Sequence, residues 1–181
     1  MSSDAADIAI ICSSLAKEFL KDNNEFVEVG DVVMNADILV GSKNPAKIGV
    51  PQNRVDKYEL LMKKFGKDID IKPIKSTTLP YVLEKGEVDA ILVDAYVAVG
   101  LDNIMEGTNH IQGDYPSYTM ISTKKFYESE EFQEFKSMYN KGVDELKNDN
   151  FLNTYLLKRG KSSERRVDKW RKWHVTIQKL P

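Results

Sequence analysis

The chain has 181 residues and a formal net charge of −2, with 41% hydrophobic and 30% charged residues. That balance suits a globular chain able to bury a sizeable core, and it excludes a disordered, highly charged polymer. No apolar run approaches the roughly 18 residues needed to cross a bilayer, so no stable membrane insertion is expected.

Residues 7–12 read as a first strand. Ile8-Ala9-Ile10-Ile11 is too short for the core of a signal peptide, and Asp4 and Asp7 stand where positive charge would be needed. As written the chain therefore reads as cytoplasmic; as an N-terminally truncated fragment it would read as extracytoplasmic. Cys12 is the one cysteine, which excludes an internal disulfide and is expected to be a small buried residue. A short helix follows through Leu15, Phe19 and Leu20, and residues 27–40 read as extended chain around Gly30.

The centre alternates strand and helix signals. Lys47–Pro51 is a short strand, and Gln52-Asn53-Arg54 is a turn with Asn53 as a helix cap. Tyr58, Leu61, Met62 and Phe65 share one helix face, and Gly66 stops that helix. Ile69–Ile74 alternates as a half-buried strand. Ser76-Thr77-Thr78 caps a helix that tolerates Pro80 in its first turn, turns Leu79, Val82 and Leu83 inward, and ends before Gly86. Val88–Val93 is nearly continuous apolar chain, suited to the middle of a parallel sheet. Strands and helices at this spacing make right-handed βαβ units. The loops Pro51–Arg54, Ser76–Thr78 and Asp94–Tyr96 should then meet at the carboxyl edge of the sheet, where open α/β sheets bind ligands.

Tyr118–Ile121 reads as a further strand. Phe132, Phe135, Tyr139, Val143 and Leu146 form the stripe of a long helix with acids at its start, and Phe151, Leu152, Tyr155 and Leu156 mark a shorter one. A third helix is expected around residues 163–177, with Val167, Trp170, His174 and Ile177 on one stripe among Arg165, Arg166, Lys169, Arg171 and Lys172. Residues 158–181 carry +7, against −9 for the rest of the chain. The acidic body would repel a membrane or a nucleic acid, so neither is expected as a partner. The basic helix should instead dock on the body with Trp170 largely buried.

The segments "AKIGVPQNR", "KKFG", "IKPI" and "TTLPYVLEKGEVDAILVD", preceded by "DIAIICSS" and "ADILVGS", resemble the second lobe of the type II periplasmic solute-binding proteins of ABC importers. The resemblance covers residues 7–125. It implies an α/β fold with a mostly parallel sheet and flanking helices, forming one such lobe plus C-terminal helices. It also implies a single domain whose core lobe is 46–120, with 1–45 and 121–181 as flanking segments like parts of the other lobe. Most of the first lobe is missing, so the chain is either a natural minimal version or a fragment. A lone lobe leaves its cleft surface uncovered, and a homodimer is expected to cover it.

The function implied is binding of a small-molecule solute, with a transport-related role and without catalysis or cofactor. Expected ligand contacts are Asp94 as a hydrogen-bond acceptor, Ser76, Thr77 and Thr78 as an anion-binding turn, and Asn53 with Arg54 at the first loop. Ser13 and Ser14 are expected to face the same cleft from its other side. The plainer reading of each is a cap, a turn or a solvated side chain. His110 lies with Asn109 in a polar stretch between Gly107 and Gly113, followed by Asp114 and Tyr115; with His174 it makes only two histidines, which do not spell a metal motif. No P-loop, GxGxxG, GxSxG or cysteine pair is present. Two alternatives remain open: a small-metabolite enzyme on the same scaffold, with Asp94 its only acid–base candidate, and an intracellular ligand sensor, for which no helix-turn-helix is evident.

Overall fold

The computed structural model describes residues 6–52, 54–101, 104–156 and 166–181. In chain order these form β1 (Ile8–Cys12), α1 (Ser13–Asp22), β2 (Phe26–Met34), β3 (Asp37–Gly41), β4 (Lys47–Pro51), α2 (Tyr58–Phe65) and β5 (Asp70–Ile74). Then come α3 (Leu79–Glu84), β6 (Ala90–Asp94), α4 (Ala95–Ala98), β7 (Ile104–Gly107), α5 (Asn109–Gln112) and β8 (Pro116–Thr123). The chain closes with α6 (Lys124–Tyr127), α7 (Glu130–Glu145), α8 (Asp149–Leu156), α9 (Arg166–Lys172) and β9 (Thr176–Ile177). Single 3-10 turns at Val55–Lys57 and Ser76–Thr78 precede α2 and α3. The chain divides into two compact units. The first holds Met1–Met34, Tyr115–Leu152 and Thr176–Pro181; the second holds Asn35–Asp114 and Asn153–Val175. Residues 46–114 of the expected core lobe thus lie in the second unit and 115–120 in the first.

The second unit is built on a five-stranded sheet of order β5-β4-β6-β3-β7. As expected, β4 runs parallel to both β5 and β6. The sheet is mixed rather than mostly parallel, because β3 runs antiparallel to β6 and β7. The short link Ser42–Ala46 is too brief for a crossover, so the chain reverses between β3 and β4. Leu39, Ile48, Val50, Leu61, Ala90 and Leu92 form a buried core, with Tyr58, Phe65, Ile71 and Ile111 packed on it.

Helix α3 lies so close to the sheet that a Cβ on Gly49 would stand 2.9 Å from Leu79 Cδ2. Gly66 and Gly86 end α2 and α3 with φ of 98° and 69°, the left-handed geometry that favours glycine. Helix α2 buries Leu60 beside Leu61 and leaves Met62 exposed, a correction to the expected stripe. A helix of eight residues offers two adjacent apolar registers, and the one with both leucines turns inward.

The basic helix docks: Val167, Trp170, Trp173 and Val175 are all buried, and Lys169 Nζ donates to the Leu101 carbonyl at 3.3 Å. It is shorter than expected. Residues 163–165 lie outside the described residues, and His174 ends the helix with φ 55°. The His174 N–H donates to Arg171 O at 3.0 Å and the Val175 N–H to Trp170 O at 3.3 Å. This is the Schellman stop, with histidine where glycine is usual. Ile177 therefore belongs to β9 rather than to the helix stripe.

The first unit holds a wholly antiparallel sheet of order β1-β8-β2-β9. Val29, Val32, Met120, Phe132 and Leu180 form its core, with Ile8, Tyr118, Phe135 and Tyr139 packed against it. Ser129 caps α7 by accepting the Phe132 N–H. The C-terminal strap is pinned by Asn140, whose side chain accepts the Leu180 N–H at 2.8 Å and donates to the Leu180 carbonyl at 3.2 Å. Cys12 is half-buried.

Candidate functional site

In the second unit the parallel strands β4, β5 and β6 bring Pro51, Ile74 and Asp94 to one edge. The Gln52 N–H donates to Ile74 O at 3.0 Å and ties the first two loops together. Because β3 runs against β6, its first residue, Asp37, is paired with Asp94 and joins the same edge.

Arg54 and Lys57 converge on Asp37. Arg54 Nη1 and Nη2 donate to the two Asp37 carboxylate oxygens, each at 3.0 Å. The same guanidinium also donates from Nε and Nη2 to Asp56, at 3.1 and 3.2 Å. Lys57 Nζ lies 3.0 Å from Asp37 Oδ2. Asp37, Arg54 and Lys57 are all buried, at 5, 9 and 7% exposure. Burial pushes the Asp37 carboxyl up, but Arg54 and Lys57 beside it outweigh this and hold it below the ordinary aspartate range. Burial likewise opposes the charge on Arg54, and Asp37 and Asp56 overcome it, so the guanidinium is held above its ordinary value. Among the described residues, two cations, Arg54 and Lys57, meet two carboxylates, Asp37 and Asp56.

Asp94 is half-buried and caps α4, accepting the Tyr96 N–H at 2.8 Å. Ser76, Thr77 and Thr78 are exposed; the Thr78 hydroxyl donates to Lys75 O at 2.8 Å, and no side chain caps α3. Asn53 lies outside the described residues. Of the sequence candidates, Arg54, the Ser76–Thr78 turn and Asp94 thus each follow the carboxyl end of a strand in one sheet.

Ser13 and Ser14 belong to the first unit. Ser13 is buried at the start of α1 and Ser14 is exposed. The Thr119 hydroxyl lies 2.8 Å from Ser13 Oγ and 2.6 Å from Asp31 Oδ1. One hydroxyl has one hydrogen. Asp31, as a carboxylate, can only accept, so Thr119 donates to Asp31 and Ser13 donates to Thr119.

Sequence reasoning missed Asp37, Asp56 and Lys57. The signal was present: Arg54, Asp56 and Lys57 sit within one turn of chain, and an acid at the head of the apolar run Ile38–Val40 requires a cation if it is buried. Among the described residues, no group of three or more His, Cys, Asp or Glu is placed to hold a metal ion, and no helix is long and apolar enough to cross a membrane.

The sequence matches no protein-family model and no curated protein. Its fold does match solved structures. The zinc-bound ligand-binding component of an ABC-type import system from Staphylococcus aureus aligns with a TM-score of 0.67 at 13% identity, over 98% of this chain and 69% of that one. This chain has the fold of an importer's solute-binding component. The MOPS-bound alkanesulfonate-binding protein of Xanthomonas axonopodis pv. citri shares that binding-protein fold, with a TM-score of 0.65 at 14% identity over 98% of this chain and 70% of its own. An ABC transporter structure from Parabacteroides distasonis shares it too, with a TM-score of 0.64 at 13% identity over 96% and 68%.

Proposed function

We propose that the protein binds a small-molecule solute at the carboxyl edge of β4, β5 and β6, as a non-catalytic, transport-related binding module. What supports this reading is that the loops carrying Arg54, Ser76–Thr78 and Asp94 follow the carboxyl ends of strands in one sheet, in a fold shared with proteins solved with zinc and with MOPS bound. In this reading the Ser76, Thr77 and Thr78 hydroxyls and the Asp94 carboxylate contact the solute, together with Asn53. Arg54 keeps its fork on Asp37 and Asp56, fixing the loop. With Arg54 held by its carboxylates, the Asp94 carboxylate and the neighbouring hydroxyls favour a ligand that offers hydrogen-bond donors. Two copies associate in solution.

Native mass spectrometry of the purified chain tests both parts. A retained small molecule and a dimer are expected. Thermal-shift screening then identifies the solute class, and Thr77→Ala and Asp94→Asn are each expected to weaken binding about tenfold, the loss of one good polar contact. Binding unaffected by both variants would move the site elsewhere, and a clean monomer at high concentration would remove the dimer.

A further inference from the structure

We infer that His110 and His174 form a two-imidazole site for a borderline divalent transition metal such as Zn2+, Ni2+ or Cu2+, with water filling the remaining positions. These are the only two histidines in the chain, and they come from distant segments. Yet their ring centres lie 6.4 Å apart, inclined at 49°, within the second unit. A metal about 2.0–2.1 Å from an imidazole nitrogen lies about 3 Å from that ring's centre, so two rings sharing one ion have centres about 5–6 Å apart. Both side chains are exposed, so a small side-chain rotation closes the difference. Neither imidazole is engaged in a hydrogen bond or ion pair among the described residues.

Two features hold this geometry ready. His174 occupies the left-handed stop of α9, where most side chains are strained and glycine is usual. That conformation is locked from a distance: Asn35, itself at φ 60° and buried, donates from Nδ2 to the His174 carbonyl at 3.0 Å and to Asp114 Oδ1 at 2.9 Å. On the other side, α5 fixes His110. It is stopped by Gly113 at φ 81° and anchored by Ile111, which packs against the core of the second unit. A ligand residue whose backbone is pinned by a buried amide has the kind of support that metal sites use. The site is sparse: no third His, Cys, Asp or Glu among the described residues completes it. It therefore suits imidazole-seeking ions and not Ca2+ or Mg2+, which require oxygen ligands.

The test titrates Zn2+ alone, then Ni2+ alone, into the full chain by calorimetry. One ion per chain is expected. His110→Gln and His174→Asn should each weaken it at least about tenfold, the scale on which even supporting groups tune metal sites. Both substitutions are chosen to preserve the fold, since asparagine accepts the left-handed region, and unchanged far-UV dichroism and melting temperature verify it. Cys12→Ser should leave binding unchanged. With Cu2+, electron paramagnetic resonance should show coupling to two nitrogens in the parent and one in each variant. Binding that survives either histidine substitution in a folded chain, that disappears in Cys12→Ser, or that shows no second nitrogen would overturn the assignment.

Discussion

The two units bury polarity in opposite ways. The second closes its sheet edge with full charges, Asp37 between Arg54 and Lys57. The first threads a hydroxyl chain, Ser13 to Thr119 to Asp31, between α1, β8 and β2. Charges withdrawn from water must be paired almost completely, whereas hydroxyls tolerate a lost partner at lower cost. The charged cluster should therefore behave as one unit and the hydroxyl chain as separate links.

Asp37→Asn breaks this comparison hardest. It removes the carboxylate charge on which the buried Arg54 and Lys57 converge, and a loss of about 3–5 kcal/mol is expected in urea denaturation. Replacing Asp37, Arg54 and Lys57 together by Leu, Met and Met should recover most of that loss, because an apolar cluster of similar volume has no charge to desolvate. If the triple variant is as unstable as the single one, the cluster contributes through shape rather than charge.

Acid sharpens the same point. The folded-state value of Asp37 lies below its unfolded one. Its stabilisation is therefore complete well above about pH 3.9, and it is lost as the pH falls through that value towards the folded one. The stability gap between the parent and Asp37→Asn should hold above about pH 5 and narrow as the pH falls below it. A constant gap would show that Asp37 does not titrate with the fold.

In the first unit, Thr119→Val strands Ser13 and removes the Asp31 contact, for an expected loss of about 1–3 kcal/mol, while Thr119→Ser keeps the hydroxyl and should cost less. At the smallest end, Lys21→Gln removes a pairing with Glu18 in which both side chains are about two-thirds exposed. No more than about 0.5 kcal/mol should be lost. A larger effect there would mean that solvent-facing pairs matter in this protein as much as buried ones.

Much of this architecture is written locally. The apolar run ending at Val93, the glycine stops at Gly66 and Gly86, and the α7 stripe all read directly, because side-chain period and turn chemistry act over a few residues. Strand direction does not: Ile38–Val40 looks the same run either way, and only the short link to β4 sets its sense. The stop at His174 was hidden because histidine holds the position where glycine would have announced it. β9 is two residues long and owes its existence to its pairing with Val33 and Met34. At the candidate site, the position of the Ser76–Thr78 and Asp94 loops after the strands β5 and β6 was legible from the strand and turn signals. The role of Arg54 was not, because its partner Asp37 lies on another strand, and a buried ion pair is a property of two distant positions at once.

The strand pairings also set an order of assembly. In the second unit Lys47 pairs with Asp70 and Ile48 with Ala90, contacts that close short loops. In the first unit Ile8 must find Ser122, and Val33 must find Ile177, so residues 35–114 intervene in sequence between the strands of a sheet that cannot close until late. Short loops close at lower entropic cost, and proteins rich in local contacts fold faster. On refolding, the amides of β4 and β5 should gain protection from solvent exchange before those of β8.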